Sequence, residues 1–300
     1  MIEQFKESIL ILITTPVYLI LIGVEMIMSN LHHKHLYATK DTLTNVYLMT
    51  LNMLLDILFR GICLVVLNFF FNYHFFQIDT TWMYWIALLF LQDLAFYFQH
   101  RVDHFSRIFW AVHVTHHSSD YFNLTTGFRS SVFQPLYRYI YFIPLVLMGF
   151  KAVDIMLMYS ITQIYGILIH TQYIDKMGFL EYFMATPSHH RVHHASNIKY
   201  LDKNMGMVFI IWDKLFGTFA EEDNSDEPIQ FGLTKKLEAP YHPVKVVFHE
   251  WTNIKKDLQK PVSFKTKLGY IFNPPGWSHD GSSKTSNELR AELAQRKNSN

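Results

Sequence analysis

Apolar runs long enough to enter a bilayer alternate with short polar connections through the first half of this chain. Five stand out: Ser8–Met28, Leu43–Phe71, Trp82–Phe98, Val132–Phe150 and Val153–Ile169. A helix needs about 20 apolar residues to cross a hydrocarbon core, so each is a candidate to span or enter a membrane. The second is interrupted by Asn52, Asp56, Arg60 and Asn68, which predicts one face turned onto protein; Asp56 and Arg60, four apart, can pair along the helix. Only Lys151 and Ala152 part the fourth run from the fifth, so these two are expected as a tight helical hairpin whose arms need not cross completely. The pattern predicts an all-α, multi-pass membrane protein with about four to five membrane helices or re-entrant hairpins.

From Gly178 onward the pattern turns polar. Glu221, Glu222, Asp223, Asp226 and Glu227 read as a solvated acidic turn. Lys245, Lys255, Lys256, Lys260, Lys265 and Lys267 then interleave with Val246, Val247, Phe248, Trp251 and Ile254. Such a mixture suits either a segment lying on anionic headgroups or a solvated amphipathic helix. Pro274-Pro275-Gly276-Trp277 is expected to end the ordered region, with Thr285-Ser286-Asn287-Glu288 as a capping box opening a short polar helix beyond it. The chain thus divides into N-terminal membrane helices (1–80), a histidine-bearing domain (81–220), a cytoplasmic or interfacial segment (221–277) and a polar tail (278–300).

Composition agrees with a membrane setting. Half the residues are hydrophobic and 17% are charged, against about a quarter charged in soluble domains. A net charge of +1 gives no global field for nucleic acid, and none is expected as a partner. Cys63 excludes an internal disulfide and a CxxC knuckle and reads as a small buried hydrophobe. The first apolar run is longer than a signal core and has Glu3 and Glu7 beside Lys6, so it is expected to stay. Lys34 and Lys40 follow the first run, residues 72–80 carry no Lys or Arg, and Arg101, Arg107 and Arg129 follow the third. That alternation predicts a cytoplasmic, helical, histidine-rich cap, in a bacterial inner membrane or, in a eukaryote, the endoplasmic reticulum.

The candidate chemistry lies in eight histidines in three clusters: His100 and His104 (HxxxH), His113, His116 and His117 (HxxHH), and His190, His193 and His194 (HxxHH). Spacings of three and four bring imidazoles onto one helix face, close enough to share a metal ion. Adjacent His116 and His117 point about 100° apart, so they can serve two different ions. Eight donors exceed one tetrahedral zinc site and fit two metal ions with open positions. Imidazole alone does not name the metal. His170, closing the fifth run, is a ninth candidate ligand. His189, Asp103, Asp202 and Asn204 are candidates to orient the ligand imidazoles. His32, His33, His35, His74, His242, His249 and His279 lack the spacing and read as ordinary residues.

At these residues the chain resembles the fatty acid hydroxylase/sterol desaturase superfamily of membrane di-iron proteins, and is most similar to its alkylglycerol monooxygenase branch and bacterial members. The runs carrying the likeness are His113-Val114-Thr115-His116-His117-Ser118-Ser119-Asp120-Tyr121-Phe122-Asn123-Leu124-Thr125-Thr126, Pro187-Ser188-His189-His190-Arg191-Val192-His193-His194, Asp202-Lys203-Asn204-Met205-Gly206 and Ile211-Trp212-Asp213-Lys214-Leu215-Phe216-Gly217-Thr218-Phe219. The resemblance implies two iron ions held by the eight clustered histidines and His170, O2 as co-substrate, and hydroxylation of a lipid C–H bond with two external electrons. Within that branch the lipid is an ether lipid and the reductant a tetrahydropterin. Other members act on sterols, carotenoids or acyl chains as hydroxylases or desaturases, with cytochrome or ferredoxin donors. A histidine-lined metal transporter and an inactive lipid-binding scaffold are the rivals of another class. Transporters place ionisable ligands near the bilayer midplane, whereas these clusters flank helix ends.

Overall fold

The computed structural model describes the backbone of residues 2–223, 225 and 227–299, with side chains from residue 9 to 296 apart from 11, 224 and 226. It is all-helical, with no strands among the described residues beyond two isolated bridges. Among the described residues eleven α-helices follow one another: α1 Ile2–Leu31, α2 Thr39–Phe71, α3 Trp82–Phe105, α4 Arg107–His117, α5 Ile143–Leu147, α6 Ala152–Leu168, α7 Pro187–His193, α8 Ile211–Phe216, α9 Pro243–Leu258, α10 Phe264–Phe272 and α11 Ser286–Ser299.

The long helices run up and down and share two poles. At one pole the α1–α2 connection is tied inward: Tyr37 donates to Glu25 of α1, and Glu25 also accepts the Leu124 amide at 2.9 Å. Asp41 and Asn45, in the first turns of α2, meet Arg129. The C-terminal ends of α3 and α6 arrive at this same pole with His100, His104 and His170. At the opposite pole the Phe75 amide donates to Leu147, and the Lys151 amide donates to the Tyr84 hydroxyl. There Gly149, at φ +104°, passes so close to Phe76 that a Cβ would stand 2.2 Å from its carbonyl oxygen. A core of Leu67, Tyr84, Leu88, Leu145, Ile155 and Met158 joins α2, α3, α5 and α6, with Cys63 packed half-buried on it.

Among the described residues, two helices are long and apolar enough to cross a membrane: Leu12–Leu31 and Thr39–Phe71. Most of their large apolar side chains, Leu12, Leu19, Ile57 and Val65 among them, face outward. The expected third span is the helix α3, but its inner face carries Gln92, Asp93, Gln99, His100, Asp103 and His104, all buried. The fifth is the 17-residue α6, short of the roughly 20 residues a crossing needs. The expected fourth arm, Val132–Phe150, is no continuous helix. It breaks into 3-10 turns at Gln134–Leu136 and Arg138–Phe142 before the five-residue α5. Pro135 and Pro144 each remove an amide the ladder would need. Arg138, buried in this segment, donates to Tyr159 at 2.7 Å and Tyr139 at 2.9 Å and pairs with Asp56. Asp56 also contacts Arg60 along α2, as the i, i+4 spacing requires.

The C-terminal third folds over the first pole. On α9, Val246 and Val247 bury against Leu48 of α2 and Val132, leaving its lysines outward. The chain stays ordered past Trp277, which packs edge-on against Tyr270 of α10 at 5.3 Å. Thr285 and Glu288 exchange the reciprocal hydrogen bonds of a capping box at the start of α11.

A candidate metal centre of nine imidazoles

Ser106 takes an extended conformation (φ −129°, ψ 121°) between α3 and α4 and turns the chain back on itself. The turn sets His100 and His104 of α3 against His113 and His117 of α4. From the far side α7 brings the third cluster. Its N-terminus is fixed by Thr186 as cap, Pro187 in the first turn, and His189 returning a bond to the Thr186 amide. Arg191 locks α7 to the segment after α6 by donating to the carbonyls of Thr171 (3.1 Å) and Ile174 (2.7 Å) and pairing with Glu222 at 2.7 Å. Glu222 therefore belongs to this lattice rather than to a freely solvated turn.

The nine candidate imidazoles converge into two adjoining groups, each with all its donor atoms within 4.8 Å of one another. One holds His100, His104, His113, His117 and His193; the other holds His116, His170, His190 and His194. They meet where the ring of His117 stacks on His194, centroids 4.5 Å apart. Eight of the nine are buried, and His116 is partly so.

Acceptors behind the rings fix their tautomers. His100 Nδ1 donates to the Met205 carbonyl (2.8 Å), His116 Nδ1 to Arg129 (2.8 Å), His170 Nδ1 to Gly166 (2.7 Å) and His193 Nδ1 to Lys203 (2.9 Å). His104 Nδ1 donates to the Asp202 carboxylate at 3.1 Å, and His113 Nδ1 rests 3.0 Å from the Ser131 hydroxyl. A carbonyl or carboxylate can only accept, so the proton sits on Nδ1 and the Nε2 lone pair faces the group.

Residues 85–218 match the fatty acid hydroxylase family. Over that stretch the chain is similar to fatty acid hydroxylases. Among curated proteins it is similar to human alkylglycerol monooxygenase, 37% identical over 268 residues that cover 88% of this chain and 59% of the relative. It is also similar to the ornithine lipid hydroxylase of Rhizobium tropici, 27% identical over 150 residues, 50% of this chain and 45% of that one. Human lathosterol oxidase is 28% identical over 138 residues, 45% of this chain and 44% of its own length. The chain thus spans about three fifths of the human alkylglycerol relative (59%). No solved structure matches it.

One short loop backs three of the five imidazoles in the larger group. Asp202 holds His104, the Lys203 carbonyl holds His193 and the Met205 carbonyl holds His100. Asp202 and Asn204 both sit in the left-handed region (φ 55° each), which Asp and Asn tolerate best among residues with a side chain. Asp213 clamps the loop by accepting the amides of Met205 (2.7 Å) and Gly206 (2.8 Å). At Gly206 a Cβ would lie 2.2 Å from the Phe209 carbonyl oxygen, so only glycine fits.

The four residues expected to orient the ligand imidazoles therefore part ways. Asp202 is in place; burial opposes its charge, yet the His104 contact holds its carboxyl below the usual range. Asp103 turns to Tyr137 (2.6 Å), Gln134 (3.1 Å) and Gln99, and burial pushes it up to about 7. Asn204 binds the His189 carbonyl and exchanges bonds with Ala220. His189 points out of both groups, its Nε2 3.1 Å from Glu181.

Other braces carried no histidine-like signal. Arg129, fully buried, donates to the Thr115 carbonyl (3.0 Å), Ser118 (2.9 Å) and Asn45 (2.8 Å), while its own carbonyl holds His116. Trp110 lies against His104 (5.1 Å between centroids) and Phe122 stacks on His170 (5.5 Å). Arg129 as the one charged residue between Asp120 and Arg138, soon after HxxHH, was the available clue.

The arrangement fits metal ions. Nε2 of His104 and His193 are buried with no hydrogen-bond partner among protein atoms. Nε2 of His100 stands 3.0 Å from Nε2 of His113, and Nε2 of His170 stands 2.9 Å from Nε2 of His190. Lone pairs brought this close repel unless a cation or proton lies between them. Protonation is the poorer answer, because burial lowers His116 to about 4 and takes His113, His117, His190 and His194 well below the usual imidazole value.

Proposed function

We propose that this protein is a membrane-bound, O2-dependent oxygenase that hydroxylates a lipid C–H bond, using two iron ions held by His100, His104, His113, His117 and His193 and by His116, His170, His190 and His194. The reading rests above all on two adjoining imidazole groups whose rings are pinned from behind so that their Nε2 atoms converge. The similarity to alkylglycerol monooxygenase and lipid hydroxylases supports a lipid substrate. Within that class an ether lipid is favoured, since the relative at 37% identity is named for alkylglycerols.

Two bound irons would supply the oxidant that breaks the C–H bond, drawing on O2 and two external electrons. The chain's own contributions are positional. Neutral imidazoles leave the charge of a bound metal uncompensated, which favours an electrophilic centre. Asp202 and the backbone carbonyls of Lys203, Met205, Arg129 and Gly166 hold the rings in register. Trp110 and Phe122 cover the groups and limit water. Electrons come from a separate donor of pterin, cytochrome or ferredoxin type. We take the chain as a multi-pass membrane protein with the histidine pole on the cytoplasmic side, a topology supported by the alternation of Lys34, Lys40, Arg101, Arg107 and Arg129 with the 72–80 connection, which carries no Lys or Arg. Burial of both groups at a helical pole, away from the middle of α1 and α2, disfavours metal transit as the function.

The test is expression in membranes with added iron, followed by assay of the lipid extract under 18O2. About two irons per chain and an 18O-labelled hydroxylated lipid, or an aldehyde released from an ether lipid, are expected. His193→Ala should abolish the product. A protein that takes up no iron after reconstitution would sink the proposal.

A further inference from the structure

A cavity of about 880 Å³ opens from the C-terminal cap onto the metal centre. Its floor is formed by His104, His117, His193 and His194 beside Trp110, and its mouth by the 232–239 segment, α9 and the 275–289 connection. The walls between are largely apolar, with Val114, Leu201, Leu237, Phe248 and Trp277 contributing. This volume falls within the roughly 300–1,000 Å³ of small-molecule sites.

The charge of the mouth is unbalanced. Seven cationic side chains and four carboxylates line the cavity. Three of those carboxylates are committed: Glu250 and Asp257 each accept from Arg107 at 2.7 Å, and Asp202 holds His104 at 3.1 Å. Lys235, Lys245 and Lys256 are exposed at the mouth, and none has a carboxylate in ion-pair contact among the described residues. A cation-rimmed mouth, apolar walls and a floor of imidazoles describe a container for an amphiphile with an anionic head.

We propose that this cavity binds the phosphate-bearing headgroup of a single-chain lipid, with the phosphate drawn to the mouth lined by Lys235, Lys245 and Lys256 and the neighbouring carbons along Trp110 and Val114 toward the imidazoles. The proposal rests on the oxygenase reading and deepens it, since it names the class of lipid presented to the metals. Lysines act here as point charges for phosphate. Their exposure makes the attraction dependent on ionic strength.

Binding, measured without turnover, separates this idea from the oxygenase reading. The full-length, iron-loaded protein in neutral detergent is titrated calorimetrically with 1-palmitoylglycerol 3-phosphate, 1-palmitoylglycerol and soluble glycerol 3-phosphate. The phosphate-headed lipid should bind roughly tenfold more tightly than its neutral counterpart, a preference that shrinks as salt is raised. The combined variant Lys235→Glu, Lys245→Glu and Lys256→Glu should lose the preference while its affinity for 1-palmitoylglycerol stays the same. Equal affinity of the wild type for both lipids, or a preference indifferent to salt, overturns the proposal even where the variant does not fold. Glycerol 3-phosphate binding as tightly as the lipid overturns the lipid assignment and gives the cavity to a soluble phosphate ester. Hydroxylation in the absence of any phosphate preference would leave the oxygenase reading standing alone.

Discussion

The two imidazole groups are drawn from the same motif in mirrored proportions. The first HxxHH gives His113 and His117 to the larger group and His116 to the smaller; the second gives His193 to the larger and His190 and His194 to the smaller. The remaining difference lies in the helix ends that complete them. Two residues of α3 join the larger group, and only His170, after α6, joins the smaller. Their supports differ too. The larger group leans on the 202–206 loop, whereas the smaller leans on single carbonyls of Arg129 and Gly166. The comparison teaches that a doubled histidine distributes donors between two sites, and that the flanking helices decide which site has a donor to spare.

The strongest way to break the comparison is to remove one imidazole from each side. His190→Ala leaves three donors in the smaller group and should lower bound metal from about two ions to about one, with loss of turnover. His100→Ala leaves four in the larger group, the number a tetrahedral site uses, and should keep both ions with weakened retention. Metal analysis after gel filtration distinguishes them; equal losses in the two variants would refute the asymmetry.

Next in size is Arg129→Met. It strands Asp41, which is 2% exposed, and removes the cross-links between α2 and α4 behind His116. Breaking a buried pair from one side costs about 3–5 kcal/mol, to be read from denaturant unfolding in detergent. Asp202→Ala sharpens the contrast more gently. Loss of the carboxylate behind His104 should weaken metal binding about 10–100-fold in the larger group alone, with the second ion unaffected in a chelator titration.

The mildest intervention is acid. Burial holds the folded-state His116 near 4, below its unfolded value of about 6.5. The unfolded chain therefore binds more protons between these values, and stability rises with pH across that window. The stabilisation is present above about pH 6.5 and fades as pH falls toward 4. Melting temperature of the metal-free protein should drop on acidification from 7 to 4.5.

Much of this site was legible in sequence because helical spacing is a local rule. Separations of three and four put His100 beside His104 and His113 beside His117 whatever the rest of the chain does. His170 was reachable because a helix end fixes the level at which a side chain emerges. Asp103 misled for the same geometric reason: one residue before His104, it lies about 100° around α3 and faces Gln134 and Tyr137 instead. The Val132–Phe150 segment read as a membrane arm because hydropathy averages over prolines, and the Asp56 that accommodates Arg138 lies 82 residues away. Backbone carbonyls, which hold four of the nine rings, leave no mark on residue identity.

The 202–206 loop therefore carries an uneven mutational signature. Where the backbone does the holding, the side chain is free to vary: Lys203 should accept most replacements, and Met205, wholly buried, should answer to volume alone. On either side of each the tolerance should collapse, at Asp202 for its carboxylate, at Asn204 for its amide and its turn, and at Gly206 for want of room. A saturation scan scored by growth or product would read across these five positions as strict and lenient in alternation, a rhythm set by which half of each residue faces the histidines.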